Sequence, residues 1–375
     1  MEETRVSSLE LFFDLVFVFT ITQLTTVLVE HSDLIGLAAA CVKLALIWWM
    51  YAGYSWLTNQ IDVGDATHRA FLLAGMAGWL VLALAIPTAF DATGFTFGVA
   101  YLVIVIVHAG LFTDAQSDVS ARSFLLIGRS NLLFAVAVVV AGAVGGPAQW
   151  VVWSAAAIGI WLVPALRAGG VFELEPAHFV ERHGLVIIVA LGESVVAIGI
   201  GASGLAVDPS LVGVAVLGLA LVAGLWWTYF SDEEDVERAM READHGERRR
   251  MALEGFSYAH YALLLGIVLI AAALKKATGH PFDPESTAAA IGLGAGVALF
   301  LAGEIGFRSA LRIAGSRPHA YAALLAAATI PLGKVAAAAQ IGALVAILLG
   351  LAVSRSQLRQ EAPAPRPASP PAQPR

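Results

Sequence analysis

The chain has 375 residues, 58% of them hydrophobic and 14% charged, with a mean hydropathy of +0.78 and a formal net charge of −7. Soluble domains carry about 25% charged residues, so this composition excludes a soluble globular protein and describes a multi-span membrane protein with the lipid bilayer as its partner. The acidic balance argues against nucleic acid as a partner, and the single cysteine, Cys41, excludes an internal disulfide or a cysteine metal cluster.

The N-terminal MEETRVSSLE lacks the basic start and small-residue cleavage site of a secretory signal, so the first helix is expected to be retained. Twelve apolar stretches then predict spans at Leu9–Val29, Leu34–Leu57, Ala70–Phe90, Phe95–Phe112, Ser123–Val144, Gln149–Leu166, Gly184–Gly204, Ser210–Phe230, Gly255–Leu274, Ala288–Phe307, His319–Leu332 and Val335–Val353. The Pro- and Ala-rich segment after residue 353 cannot build a core and is expected to be a disordered tail. Twelve spans put both termini and the even-numbered connections on one side. That side holds seventeen basic residues, all arginine, against Lys275, Lys276 and Lys334 on the other, with Lys43 and Arg129 inside spans. The positive-inside rule then makes both termini cytoplasmic.

In the first span Glu10 and Asp14 are four residues apart and share a helix face. Glu10 reads as a first-turn acid favoured by the helix dipole, whereas Asp14, a turn deeper between Phe13 and Leu15, needs a partner or a proton. The second span carries Lys43 and the aromatic run Trp48, Trp49, Met50, Tyr51; the fifth carries Arg129. Lys43 and Arg129 are the expected counter-charges for the intramembrane acids. In the seventh span Glu193 is the only charged residue between Gly184 and Gly204, near the bilayer midplane. A charge there costs at least ~2.5–3.5 kcal/mol on insertion scales and marks a site with a partner or a task. The glycines of this span are expected to permit close helix approach. Ser231–Arg250 begins SDEED and ends ERRR, which suggests a solvated helix leading into the ninth span. There Glu254, Tyr258 and Tyr261 share a face at helical spacing, and His260 is a further intramembrane polar group, as are His108 and Glu304.

The halves echo each other. Trp48-Trp49-Met50-Tyr51 and Trp226-Trp227-Thr228-Tyr229 each run into an acidic loop, and with a two-residue gap Asp14 matches Glu193. The expected architecture is an all-α polytopic membrane protein of about 12 transmembrane helices in two parallel six-helix repeats, at residues 1–170 and 171–353. The tail occupies 354–375. Function is expected at the interface between the halves.

RVSSLELFFDLVFVFTITQL at Arg5–Leu24 and HFVERHGLVIIVALGESVVAIG at His178–Gly199 together resemble the bacterial low temperature requirement protein A family. The stretches at Trp48–Asp62, Leu225–Phe230 and Phe256–Ala271 are similar as well. The resemblance singles out Glu10, Phe13 and Asp14; His178, Glu181, Arg182, Gly184, Gly192, Glu193 and Ser194; and Tyr258 and His260. His183 stands where an aromatic or apolar residue is expected. The resemblance implies a bacterial plasma membrane but supplies no substrate.

No enzyme, metal site or cofactor is expected. There is no GxSxG, phosphate-binding glycine loop or HExxH, and Ser194 directly after Glu193 is not a nucleophile elbow. The leading expectation is a secondary, proton-coupled transporter of an unknown solute or ion, with Asp14, Glu193, Glu10, Ser194, Tyr258 and His260 along its path. The alternatives are an ion channel or proton leak built from paired six-helix repeats, and a non-transporting membrane-stress protein.

Overall fold

In the computed structural model, the described residues are 6–61, 65–114, 121–166 and 174–361, with side chains left aside at 113, 114, 121–127, 165, 166 and 358–361. Among them every regular element is helical: α1 (Ser8–Glu30), α2 (Leu34–Thr58), α3 (Ala66–Ala85), α4 (Gly94–Asp114), α5 (Ala121–Val144), α6 (Gly146–Leu166), α7 (Pro176–Gly201), α8 (Pro209–Phe230), α9 (Glu233–Glu242), α10 (His245–Met251), a π-helical segment (Ala252–Ala259), α11 (His260–Ala277), α12 (Thr287–Ala310), α13 (Ser316–Ala328), α14 (Ile330–Gly333) and α15 (Ala337–Glu361). Local chemistry starts them. Ser7, Asp33, Asp65, Asp208 and Ser286 are N-caps whose side chains accept first-turn N–H groups of α1, α2, α3, α8 and α12. Pro176 and Pro209 open α7 and α8, where a missing N–H costs nothing.

Ten of the described helical segments are long and apolar enough to cross a membrane, and Gly128–Val144 of α5 adds a shorter apolar helix. Their outer surface is apolar too: Leu133, Val151, Val216 and Leu349 are 59–69% exposed, as expected where lipid replaces water. The eleventh expected span differs. Its helix breaks after Ala328, where the Thr329 hydroxyl donates back to the Ala326 carbonyl, and resumes as the short α14 with Pro331 in its first turn. α13 alone, at 13 residues, rises only about 20 Å. At the other end α15 continues to Glu361, into the expected tail, because Arg355 is buried and donates to the Thr228 carbonyl of α8 at 3.1 Å. Residues 362–375, Arg5, Asp62 and the expected boundary between halves at 170 lie outside the described residues.

Helix α1 sits at the centre, packed on α2, α3, α7 and α11. Within the first six helices α1 meets α2 and α3, α2 meets α4 and α6, and α3–α4, α4–α5 and α5–α6 pack in succession. Further along, α7 meets α8 and α11, α8 meets α15, and α11–α12, α12–α13 and α13–α15 pack together. Close approach at the α7–α11 contact requires glycine at Gly201, whose added Cβ would lie 2.4 Å from the Lys275 carbonyl oxygen. Gly192 and Gly199 face open space, so glycine is not needed there for packing.

The second aromatic run is unlike the first. Trp48 and Tyr51 are fully buried, whereas Trp226 and Trp227 are 42% and 59% exposed, the behaviour of an interfacial aromatic belt.

Candidate functional site

The α1 capping box delivers the first acid. Ser7 N–H donates to Glu10 Oε2 at 2.9 Å while Glu10 N–H donates to Ser7 Oγ at 3.3 Å. That leaves Glu10 Oε1 facing α7, 3.1 Å from Arg182 Nη1 and 3.2 Å from His178 Nε2. The Arg182 contact is an ion pair off-line for a hydrogen bond, since both atoms lack a well-aligned partner. One turn deeper, Asp14 Oδ1 accepts Arg182 Nη2 at 3.1 Å and the Tyr51 hydroxyl at 2.7 Å. The guanidinium lies 5.6 Å from the Phe13 ring centroid and 5.9 Å from that of Tyr51, so aromatic faces cover what the carboxylates do not. Ser55 Oγ accepts from Arg182 Nε at 3.4 Å.

Glu10, Asp14 and Arg182 are each no more than 2% exposed. Isolated buried charges are prohibitively expensive, and paired ones survive only with good geometry. Two carboxylates against one guanidinium leave an excess of one negative charge unless a proton joins them. His178 is one place for it. Its Nδ1 accepts from Asn59 Nδ2 at 3.2 Å, so the neutral ring carries its proton on Nε2, toward Glu10. Asp14 is the other, because its Oδ2 is buried without a hydrogen-bond donor.

Glu193 lies on the same helix pair but apart from this cluster. Its Oε2 accepts the Thr22 hydroxyl at 2.6 Å. Thr22 is eight residues beyond Asp14, about 12 Å along α1. The register of contacts, Glu10 with His178, Asp14 with Arg182 and Thr22 with Glu193, makes α1 and α7 run in parallel.

The expected counter-charges are corrected. Lys43 is buried on α2, where Nζ donates to the Ile86 carbonyl at 3.0 Å and sits 5.8 Å from the Phe90 ring. Arg129 is exposed on α5. Neither serves Asp14 or Glu193, because a residue on α7, itself in the second motif, already reaches both carboxylates of α1. Ser194 is buried with its Oγ unpartnered, and Glu181 is exposed, accepting Val6 N–H at 3.3 Å. Trp48 Nε1 donates to the Ser257 carbonyl at 2.7 Å and Trp49 Nε1 to Asn131 Oδ1 at 3.3 Å.

The ninth span is not a plain α-helix at Glu254, Tyr258 and Tyr261, since residues 252–259 are π-helical, yet Tyr258 and Tyr261 still share a face and both pack on Trp161, with ring centroids 5.3 and 5.1 Å away. Glu254 is exposed. Tyr258 donates to the Trp161 carbonyl at 2.8 Å, Tyr261 to the Cys41 carbonyl at 3.0 Å, and Trp161 Nε1 to the Ala45 carbonyl at 3.1 Å. These aromatic donors staple the π segment and α11 to α2 and α6. His183, the departure from the expected apolar residue, is nonetheless fully buried among Phe179, Trp48, Phe256 and His260.

Tyr51, Ser55, Asn59 and Thr22 complete the two sites and escape motif reading. The signal for three of them is a polar stripe on α2, at residues 51, 55 and 59, with the i, i+4, i+8 spacing of one helix face. Described residues line open clefts of about 310, 590 and 490 Å³, and neither Asp14 nor Glu193 is in the lining of these three. Among the described residues no group of three His, Cys, Asp or Glu is placed to hold a metal ion.

Residues 5–353 match the bacterial low temperature requirement A protein (LtrA) family. The chain belongs to this family. The match takes in both ends of the cluster, α1 and α7. An uncharacterized protein from Rhizobium meliloti (strain 1021) is 26% identical to this LtrA family member over 364 residues, covering 93% of this chain and 88% of that protein. No solved structure matches it.

Proposed function

We propose that this LtrA family member is a proton-coupled secondary transporter in which Asp14 and Glu193 are successive proton stations on the α1–α7 helix pair. The observation that carries the reading is the buried Glu10–Arg182–Asp14 cluster, with one carboxylate in excess and a carboxylate oxygen that no donor satisfies. Buried ionisable groups across a helix junction are the usual equipment of proton relays. A proton on Asp14 weakens its hold on Arg182, and its release restores the pair, so protonation and helix contact are coupled by charge alone.

Two parallel six-helix repeats with cytoplasmic termini form part of the proposal. The packing order α1–α2, α1–α3, α2–α6, α3–α4, α4–α5, α5–α6 recurs as α7–α8, α7–α11, α8–α15, α11–α12, α12–α13, α13–α15. Gln149 and Gln340 are each the fourth residue of α6 and α15. Each donates from Nε2 to a backbone carbonyl at the entry to α4 or α12, Ala89 at 2.6 Å and Ala290 at 2.8 Å, and each has an unpartnered Oε1. The cluster then lies where the first helices of the two repeats meet.

A second reading, a membrane protein that transports nothing, is favoured by one observation: Asp14 is 1% exposed and ion-paired to Arg182, as an acid that only holds two helices together would be. Reconstitution into liposomes with a lumenal pH dye separates the two. Transport predicts proton flux under an imposed gradient that Asp14→Asn abolishes while the variant stays folded and monodisperse. Undiminished flux in Asp14→Asn overturns the role of Asp14, and no flux in the native protein with any tested gradient favours the second reading.

A further inference from the structure

A second buried polar group lies one aromatic layer from the Arg182 cluster: the His260 ring stacks on Trp48 at 6.1 Å, and Trp48 on Tyr51 at 5.2 Å. His260, fully buried at the first turn of α11, is fixed by two hydrogen bonds. Its Nδ1 is 2.9 Å from the Gly255 carbonyl and its Nε2 is 2.8 Å from the Tyr229 hydroxyl. A carbonyl only accepts, so Nδ1 carries the proton and Nε2 is the acceptor of the Tyr229 O–H. The π segment brings about this choice, because Gly255, five residues before His260, lies within it. π segments inside helices are frequent at functional sites.

Glu304 on α12 is 2% exposed, with Oε1 buried and without a donor. Phe307, three residues on along the same face, stacks on Tyr229 at 5.8 Å and meets His260 edge-on at 5.0 Å. Glu304 shares that face with Phe307 and acts electrostatically on Tyr229, which places its carboxyl beside the Tyr229–His260 pair. A buried carboxylate with an unsatisfied oxygen is costly, whereas the neutral acid has an O–H to offer. The geometry points to Glu304, Tyr229 and His260 as a second proton-holding site, in which a carboxyl, a phenol and an imidazole on α12, α8 and α11 share one mobile proton.

The transfer balances. The Glu304 proton passes to Tyr229 Oη, directly or through one bridging water, as the phenolic proton passes to His260 Nε2. The carboxyl O–H breaks, the phenol exchanges one O–H for another, and an N–H forms. The products are a carboxylate and an imidazolium, and no electrons change hands. The charged groups that face this site are Arg355 of α15, which acts on Glu304, and Arg308, one turn on along α12. Both arginines are ion-paired to Asp232. Glu233 acts on Tyr229, and His183, next to Arg182 on α7, packs edge-on to His260 at 5.4 Å. Arg182 and His183 are sequence neighbours, so the two proton sites adjoin.

This inference deepens the proton-coupled reading and rests on it for its purpose, but its test does not require transport. Infrared pH-difference spectroscopy of the full chain in phosphatidylcholine nanodiscs should show a protonated-carboxyl band at neutral pH that Glu304→Gln removes. Tyr229→Phe and His260→Gln should each displace that band. A spectrum that Glu304→Gln leaves unchanged overturns the site, as does a band removed by Glu304→Gln but unmoved by both partner variants. Should Glu304→Gln fail to fold, Glu304→Asp decides: a displaced band supports the site and an unchanged one overturns it. Absence of proton flux in liposomes would overturn the transport reading while these bands still decide this site.

Discussion

Two acids on one pair of parallel helices have opposite surroundings. Asp14 is held by a guanidinium and a phenol, both buried, and shares that guanidinium with the Glu10 carboxylate, whereas Glu193 accepts a threonine hydroxyl and feels only the more distant charge of Lys275. The difference teaches that depth in a span does not fix what an intramembrane acid does; the neighbouring helix does. The first acid is strongly coupled to its surroundings, so a change in its charge is felt by three helices. The second can change state with little consequence for packing, which suits a group that only receives and releases.

The largest effect that tests this contrast comes from Arg182→Met, which strands two buried carboxylates. Breaking a buried pair in this way costs about 3–5 kcal/mol, and thermal unfolding in detergent should register a steep loss of stability. Adding Glu10→Gln and Asp14→Asn to Arg182→Met should recover much of it. A variant that unfolds with the native protein would break the contrast. At the other acid, Glu193→Leu and Thr22→Val each remove a hydrogen bond worth only about 0.6 kcal/mol, the average between membrane helices. Their double-mutant cycle should give a coupling of that size, and a value comparable with the Arg182 effect would erase the distinction.

The smallest effect concerns an acid outside the spans. Glu285 is buried in the α11–α12 connection with both carboxylate oxygens lacking donors, and burial pushes its carboxyl up to about 7, against the opposing pull of Lys334. A carboxyl raised on folding binds its proton more tightly in the folded state. Its contribution to stability is thus complete below the ordinary value of 4.5 and is lost as pH rises through about 7. Unfolding followed from pH 4 to pH 8 should show this decline in the native protein and a flatter profile in Glu285→Gln. Equal slopes would show that the ionisation of Glu285 is not linked to folding.

Much of the fold was legible because bilayer thickness imposes a length on apolar helices, and each of the twelve expected stretches contains helix. What failed at the eleventh was a backbone matter: Thr329 and Pro331 interrupt a run that hydropathy alone reads as continuous. The π segment was hidden for the same reason, since Glu254, Tyr258 and Tyr261 have ordinary helical spacing in one dimension. At the site, Glu10, Asp14, Arg182 and His178 were all singled out from their motifs. Their pairing was not, because Lys43 and Arg129 looked equally available until α1 and α7 were seen to be adjacent. Tyr51 was read only as part of the aromatic run, and Ser55 and Asn59 were not singled out, although the three lie at helical spacing and contact Asp14, Arg182 and His178.

The aromatic staples that join the π segment and α11 to the first six helices end on main-chain oxygens, those of Ser257, Trp161 and Cys41. Every residue carries such an oxygen, so the side chain at an accepting position is free to drift over evolutionary time while the donating Trp or Tyr is not. The junction can therefore persist in distant relatives without leaving paired substitutions, and methods that infer contacts from correlated sequence change would be blind to it.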